Sequence, residues 1–137
     1  SGATGLHIYI PIRPGYDFAI TAGLAQMIGM LLRERLPDKI TMERLIKNRH
    51  GVYVDFLQNA PGKTLVGVYS PRPSPMATVS APVTWEELPY VRPEEFTIQT
   101  MPERVNRTGD LFAEVLADKQ SLDHILPVLA DFGLDGR

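Results

Sequence analysis

Cysteine is absent from the 137 residues, which excludes disulfides and thiolate metal sites and fits a reducing compartment. The chain also lacks the run of about 18 apolar residues that a bilayer crossing needs, and no charged-then-apolar leader opens it. A soluble, cytoplasmic protein with no membrane partner is therefore expected. Charge of one sign is missing too. The formal net charge is -2 and the pI is near 5.9, so any nucleic-acid contact must be local rather than global. There is no Walker loop, no GxGxxG fingerprint and no GxSxG elbow, and no internal repeat or low-complexity tract. With 44% hydrophobic and 22% charged residues, the length suits one compact domain with a real core and is too short for two.

Periodicity supplies an outline. Residues 6–11 alternate, with Leu6, Ile8 and Ile10 on one face and His7 and Tyr9 on the other, as in a half-buried strand. Arg13-Pro14-Gly15-Tyr16 is a turn, and Asp17 is the expected N-cap of a helix over 17–36 whose Leu24, Met27, Ile28, Leu31 and Leu32 recur at helical spacing. A shorter helix is expected over 41–47, ended by Asn48-Arg49-His50-Gly51. Residues 52–57 (VYVDFL) and 63–69 (KTLVGVY) read as strands paired through the loop 58–62, and 77–83 as a last short strand. The proline-rich stretch around 71–93 is loop-rich. Thr84-Trp85-Glu86-Glu87 is a capping box expected to start a short helix. Further helix is expected after Met101 and over 110–131, broken near Ser121 or Pro127 and stopped by Gly133.

Three features bear on chemistry. Ser1-Gly2-Ala3-Thr4-Gly5 is a small-residue turn feeding the strand that carries His7; its backbone N–H groups, a hydroxyl and an imidazole could hold phosphate oxygens, or the turn could be a flexible terminus. Asp55 sits in an otherwise apolar strand, where it is a metal-binding carboxylate, a wet-face acid, or the partner of Arg49 or Lys63. Arg49, Lys63 and Arg72 are cations that hairpin geometry could gather near Asp55, or scattered surface charges. Together they suit a polyanion held beside a metal-binding carboxylate. Glu86, Glu87, His50 and His124 read as structural, the first two serving the capping box.

The combination Ser1-Gly2-x-x-Gly5-x-His7-x-Tyr9-x-Pro11, residues 52–59 (VYVDFLQN) with Gly62-Lys63-Thr64, then Tyr69-Ser70-x-Arg72 and Trp85-Glu86-Glu87-Leu88, resembles the polymerase domain of bacterial DNA ligase D over residues 1–118. The resemblance implies the archaeo-eukaryotic primase class, whose members add nucleotides to DNA ends during end joining with a divalent metal, Mn2+ or Mg2+. It implies that Asp55 is the third catalytic carboxylate and a metal ligand. It further implies that Ser1 and His7 contact the incoming triphosphate, with Arg49, Arg72, Gln58 and Lys63 in the nucleotide pocket. The family's first two carboxylates lie in an Asp-x-Asp strand before the Ser-Gly turn at which this chain begins, so an incomplete metal site, inactive alone, is expected. Thr4 stands where many relatives carry lysine. The implied partners are NTP, DNA ends, a ligase domain, a Ku-type end-binding protein and a chain carrying the N-terminal half. The alternative is a non-catalytic nucleotide or DNA-end binding or scaffolding module associated with a DNA ligase.

The expected fold is α/β in an α+β arrangement: a mainly antiparallel sheet with packed helices, a partial primase-polymerase fold, and a helical tail over 119–137. An exposed sheet edge implies self-association or a covering partner.

Overall fold

The structure is a computed structural model and describes residues 1–135. The expected tail helix extends to 137, so its last two positions lie outside the described residues. The chain divides into two compact units, one formed by residues 1–11 and 65–120, the other by residues 12–64 with the chain from Ser121 onward.

The second unit is built around helix α1, Phe18–Arg35. It begins where expected because the Asp17 carboxylate accepts from Ile20 N at 2.9 Å, and it ends at Leu36, the residue before Pro37, which leaves the helical region. Arg33 and Arg35 in its last turn oppose the negative end of the helix dipole. The buried stripe differs from the expected one. Gly23, Met27 and Gly29 are buried, whereas Leu31 and Leu32 are exposed. A Cβ on Gly23 would lie 2.0 Å from the Leu134 carbonyl oxygen; backbone approach at glycine, which apolar periodicity does not register, sets the inward face. α1 packs on strand β1, Ile40–Thr41, on the 3-10 turn Phe56–Gln58 and on helix α4, Leu126–Asp131.

Residues 41–47 do not form the expected helix. Thr41 ends β1, its hydroxyl accepts from Glu43 N at 3.1 Å, and only Ile46–Asn48 turns, as a 3-10 segment. β1 pairs in parallel with β2, Val52–Tyr53, in the register Ile40↔Val52 and Thr41↔Tyr53. Gly51 makes this possible: at φ +68° its missing Cβ would stand 2.2 Å from the Lys39 carbonyl oxygen, which accepts from Val52 N at 2.7 Å. The two-stranded sheet formed by the described residues is thus parallel, not antiparallel, and the hairpin expected between 52–57 and 63–69 is not formed. After Tyr53 the chain bends into the turn Phe56–Gln58 instead of continuing as a strand.

In the first unit, antiparallel pairing is confined to isolated bridges, Pro71↔Val79 and Thr78↔Thr97, supported by Arg72 N to Thr78 O at 2.6 Å and Val79 N to Phe96 O at 2.7 Å. Val79 and Phe96 form the core with Met101 of helix α2, Met101–Thr108, and Tyr69, Val83 and Val105 pack against it. The capping box forms as read, with Thr84 N donating to Glu87 Oε2 at 3.0 Å and Glu87 N to Thr84 Oγ1 at 3.2 Å, but it closes turns rather than a helix. The stretch expected as helix over 110–131 is broken, into α3 (Ala113–Ala117) and α4.

Residues 6–10 are extended and belong to no sheet. The apolar face expected to be buried is the bare one: Leu6, Ile8 and Ile10 are exposed. Tyr9, on the opposite face, is less exposed at 36% and packs edge-to-face on Phe112 with ring centroids 5.0 Å apart.

Candidate functional site

The Ser1–Gly5 turn is closed on itself by a hydrogen bond from Ser1 Oγ to Gly5 O, and Ala3 N donates back to Ser1 Oγ at 3.4 Å. Gly2 seats it. At φ +67° its carbonyl accepts from the buried Thr78 hydroxyl at 2.6 Å, and a Cβ there would meet the Val79 backbone at 2.7 Å and Arg72 Cγ at 2.9 Å. The residue without a side chain therefore lets the turn lie directly on the segment that carries Arg72.

His7 follows the turn. Ser1 and His7 line one cavity of about 200 Å³ whose wall includes Tyr9, Trp85 and Phe112. The His7 ring stands 6.3 Å from the Tyr9 ring in an edge-to-face arrangement, and its Nδ1 is buried without a hydrogen-bond partner. Burial pushes the imidazole pKa below its ordinary value, and positive charge at the amino terminus and on Arg72 pushes the same way. A neutral imidazole with one unsatisfied nitrogen beside a guanidinium is an arrangement that an anionic oxygen-rich ligand relieves, since it supplies both an acceptor and negative charge.

Three of the residues singled out from sequence, Ser1, His7 and Arg72, thus belong to the first unit; Arg49, Asp55, Gln58 and Lys63 belong to the second. There Arg49 is engaged internally. Its Nε donates to Glu43 O at 2.8 Å and its guanidinium to Arg44 O at 3.0 Å, and its guanidinium carbon lies over the Tyr53 ring, 3.6 Å from the centroid. Gln58 Nε2 donates to Thr64 O at 2.6 Å and closes the loop between them. Lys63 is exposed. Asp55 is exposed at the head of the turn Phe56–Gln58. Among the described residues Asp55 forms no ion pair with Arg49 or Lys63.

Among the described residues no group of three or more His, Asp or Glu side chains stands together, and one carboxylate does not provide the six or more oxygen ligands that Mg2+ or Ca2+ takes. Asp55 by itself does not make up a metal site.

Sequence reasoning missed several participants. Thr78 anchors the turn through a buried hydroxyl, and nothing in its local sequence marks it. Arg104, 9% exposed, forms a two-pronged pair with Glu87 at 2.9 and 2.7 Å; its position three residues after Met101 and one before Val105, both of which meet the core, was the available signal. Among the described residues no helix is long and apolar enough to cross a membrane.

Comparison with known proteins is specific. The model of the LigD primase-polymerase domain family matches residues 1–112. The bifunctional non-homologous end joining protein LigD of Bacillus subtilis is 37% identical over 88% of the chain, and the multifunctional LigD protein of Mycolicibacterium smegmatis is 30% identical over 91%. The chain spans 20% and 16% of the lengths of these two relatives. Among solved structures, the polymerase domain from Mycobacterium tuberculosis ligase D in complex with DNA superposes with a TM-score of 0.64 at 32% identity, covering 73% of this chain and 35% of that one.

Proposed function

The chain belongs to the LigD primase-polymerase domain family, and from that premise we propose that it forms the triphosphate-holding part of a nucleotidyltransferase acting at DNA ends in non-homologous end joining. The observation that carries this reading is the first-unit constellation: His7 with a partnerless buried Nδ1, sharing a cavity with Ser1, and the Ser1–Gly5 turn lying on the Arg72 segment.

The residues divide the work by chemistry. Arg72 supplies fixed positive charge with planar N–H donors suited to phosphate oxygens. His7, neutral when the site is empty, donates a hydrogen bond and takes up a proton as a polyanion approaches. The Ser1 hydroxyl and the backbone N–H groups of the turn supply further donors. Within the second unit, Gln58 and Lys63 are further candidates for nucleotide contact, and Arg49 holds the chain ahead of Asp55. A divalent cation, when bound, would neutralise phosphate charge and activate a primer hydroxyl. Asp55 is the carboxylate that would face such an ion, and among the described residues no further carboxylate or imidazole groups with it to complete the ligand set. On its own the 137-residue chain holds a triphosphate without transferring it. NTP, a DNA end and a ligase domain are its partners in this reading.

Calorimetric titration of a nucleoside triphosphate into the chain tests the proposal. His7→Ala and Arg72→Ala are each expected to weaken binding about tenfold, equivalent to about 1.4 kcal/mol, with circular dichroism unchanged. Affinity should rise as pH falls through the imidazole range, because the bound anion raises the His7 pKa. Identical titrations for both variants and the unmodified chain would remove the assignment.

A further inference from the structure

Thr78 lies between the Ser1–Gly5 turn and Arg72 and is hydrogen-bonded to both. Its hydroxyl donates to Gly2 O at 2.6 Å, and its carbonyl accepts from Arg72 N at 2.6 Å. A hydroxyl carries one hydrogen. With that hydrogen on Gly2 O, the 2.9 Å contact between Ser74 Oγ and Thr78 Oγ1 is donated by Ser74, whose oxygen accepts from Thr78 N at 3.0 Å. Every polar group of this buried threonine is thus engaged. Thr78 is itself fixed from the core side. Val79 N donates to Phe96 O at 2.7 Å and Ile98 N to Ala77 O at 3.1 Å, and Val79 and Phe96 belong to the core. The residue before it is held in an unusual conformation. Ala77 has a φ of +46°, which residues other than glycine adopt rarely and keep only where their surroundings over-determine it; here Ala77 N donates to Ser74 O at 2.9 Å, closing a turn over residues 74–77.

Building on the triphosphate reading, we infer that Thr78 is a positioning residue that sets the selectivity of the site for a triphosphate over a monophosphate. The turn, with its hydroxyl and N–H donors, and Arg72, with its guanidinium, are two anchors that come from distant parts of the chain. An anion with several phosphoryl groups engages both at once, and the second contact adds its full strength only when the spacing between the anchors is set beforehand. A single phosphoryl group occupies one anchor and is indifferent to that spacing. Thr78 acts through Gly2 and Arg72 rather than on the ligand, because its hydroxyl hydrogen is committed to Gly2 O. Without the hydroxyl the Gly2 carbonyl turns to water, the turn moves relative to Arg72, and binding has to re-order it.

The test is calorimetric titration of a nucleoside triphosphate, and of the matching monophosphate, into the unmodified chain, Thr78→Val and Thr78→Ser. Thr78→Val keeps the shape and loses the hydroxyl; it should weaken triphosphate binding about tenfold and monophosphate binding by about twofold at most. Thr78→Ser should restore the triphosphate affinity. In an Arg72→Ala background Thr78→Val should add little further loss, since one of the two anchors is already gone. Equal losses for the two ligands, no rescue by Thr78→Ser, or full additivity with Arg72→Ala would each overturn the inference. NMR of the unmodified chain covers the case in which Thr78→Val does not fold. The amides of residues 3–5 should show rigid-backbone order parameters of about 0.85 before any ligand is added, and a turn that becomes rigid only with triphosphate would overturn the inference. A rigid turn in a chain that binds no triphosphate would remove the triphosphate reading and the inference with it, whereas triphosphate binding that Thr78→Val leaves unchanged would remove the inference alone.

Discussion

Replacing Glu87 with glutamine keeps the side-chain shape and removes the charge against which Arg104 is set. Arg104 is 9% exposed. Its Nη1 and Nη2 donate to the two Glu87 oxygens at 2.9 and 2.7 Å, Nη2 also reaches Pro82 O at 3.2 Å, and its guanidinium carbon lies 4.9 Å from the Phe96 ring centroid. Removing one partner of a buried pair costs about 3–5 kcal/mol, while an exposed pair is worth about 0–1 kcal/mol. The Glu87 side chain is 31% exposed, and the amide oxygen still accepts one hydrogen bond, so the expected loss is intermediate, about 1.5–3 kcal/mol. With a urea m-value of about 1–3 kcal/mol per M, the unfolding midpoint should fall by about 1 M. The acid limb gives an independent sign. Hydrogen bonds from Arg104 and then from Thr84 N hold the Glu87 carboxyl below its usual pKa. Its contribution is thus complete above the unfolded value of about 4.3 and is lost as pH falls through the lower folded value. The gap between the two proteins should therefore close on acidification. Equal midpoints at pH 7, or a gap that persists undiminished to pH 3, would refute this account of the pair.

Other substitutions probe the placement of the elements. Gly2→Ala should dislodge the Ser1–Gly5 turn, since its Cβ would meet Val79 backbone atoms at 2.7 Å at a positive φ; slower amide exchange is expected to be lost around Thr78, and triphosphate affinity with it. Asp17→Ala should cost about 1 kcal/mol through the lost cap, with Asp17→Asn nearly neutral, both read by thermal unfolding. Tyr16→Phe removes a hydroxyl that donates to Asp123 Oδ1 at 2.8 Å, accepts from Leu122 N at 2.8 Å and lies 3.0 Å from Ser121 Oγ. Exchange at Leu122 N–H should accelerate, and the Asp123 carboxyl, held below its usual pKa first by this hydroxyl and then by Ser121, should titrate higher by NMR.

What could be read from sequence was whatever is encoded locally. The Asp17 cap, the helix end near Leu36, the reciprocal Thr84/Glu87 hydrogen bonds and α2 follow from short-range chemistry. The family was legible in the spacing of Ser1, Gly2, His7, Asp55 and Arg72. Pairing was not. Parallel association of β1 and β2 depends on Gly51 admitting the Lys39 carbonyl, a contact between residues twelve apart that strand propensity does not report. The apolar face at 6–10 is exposed because alternation says which residues share a side, not which side is covered; Leu6, Ile8 and Ile10 stand more exposed than Tyr9, which meets Phe112. The expected clustering of Arg49 and Lys63 with Asp55 assumed a hairpin, and without it Arg49 stacks on Tyr53 instead.

The central claim is that these residues hold a nucleoside triphosphate but do not by themselves transfer it. The most direct measurement is addition of a ribonucleotide to primed, gapped DNA by the purified chain in the presence of Mn2+, with Asp55→Ala measured in parallel. The account predicts no extension by either protein, together with triphosphate binding that His7→Ala weakens. Extension by the unmodified chain that disappears in Asp55→Ala would contradict it, because Asp55 would then be working within a complete catalytic site.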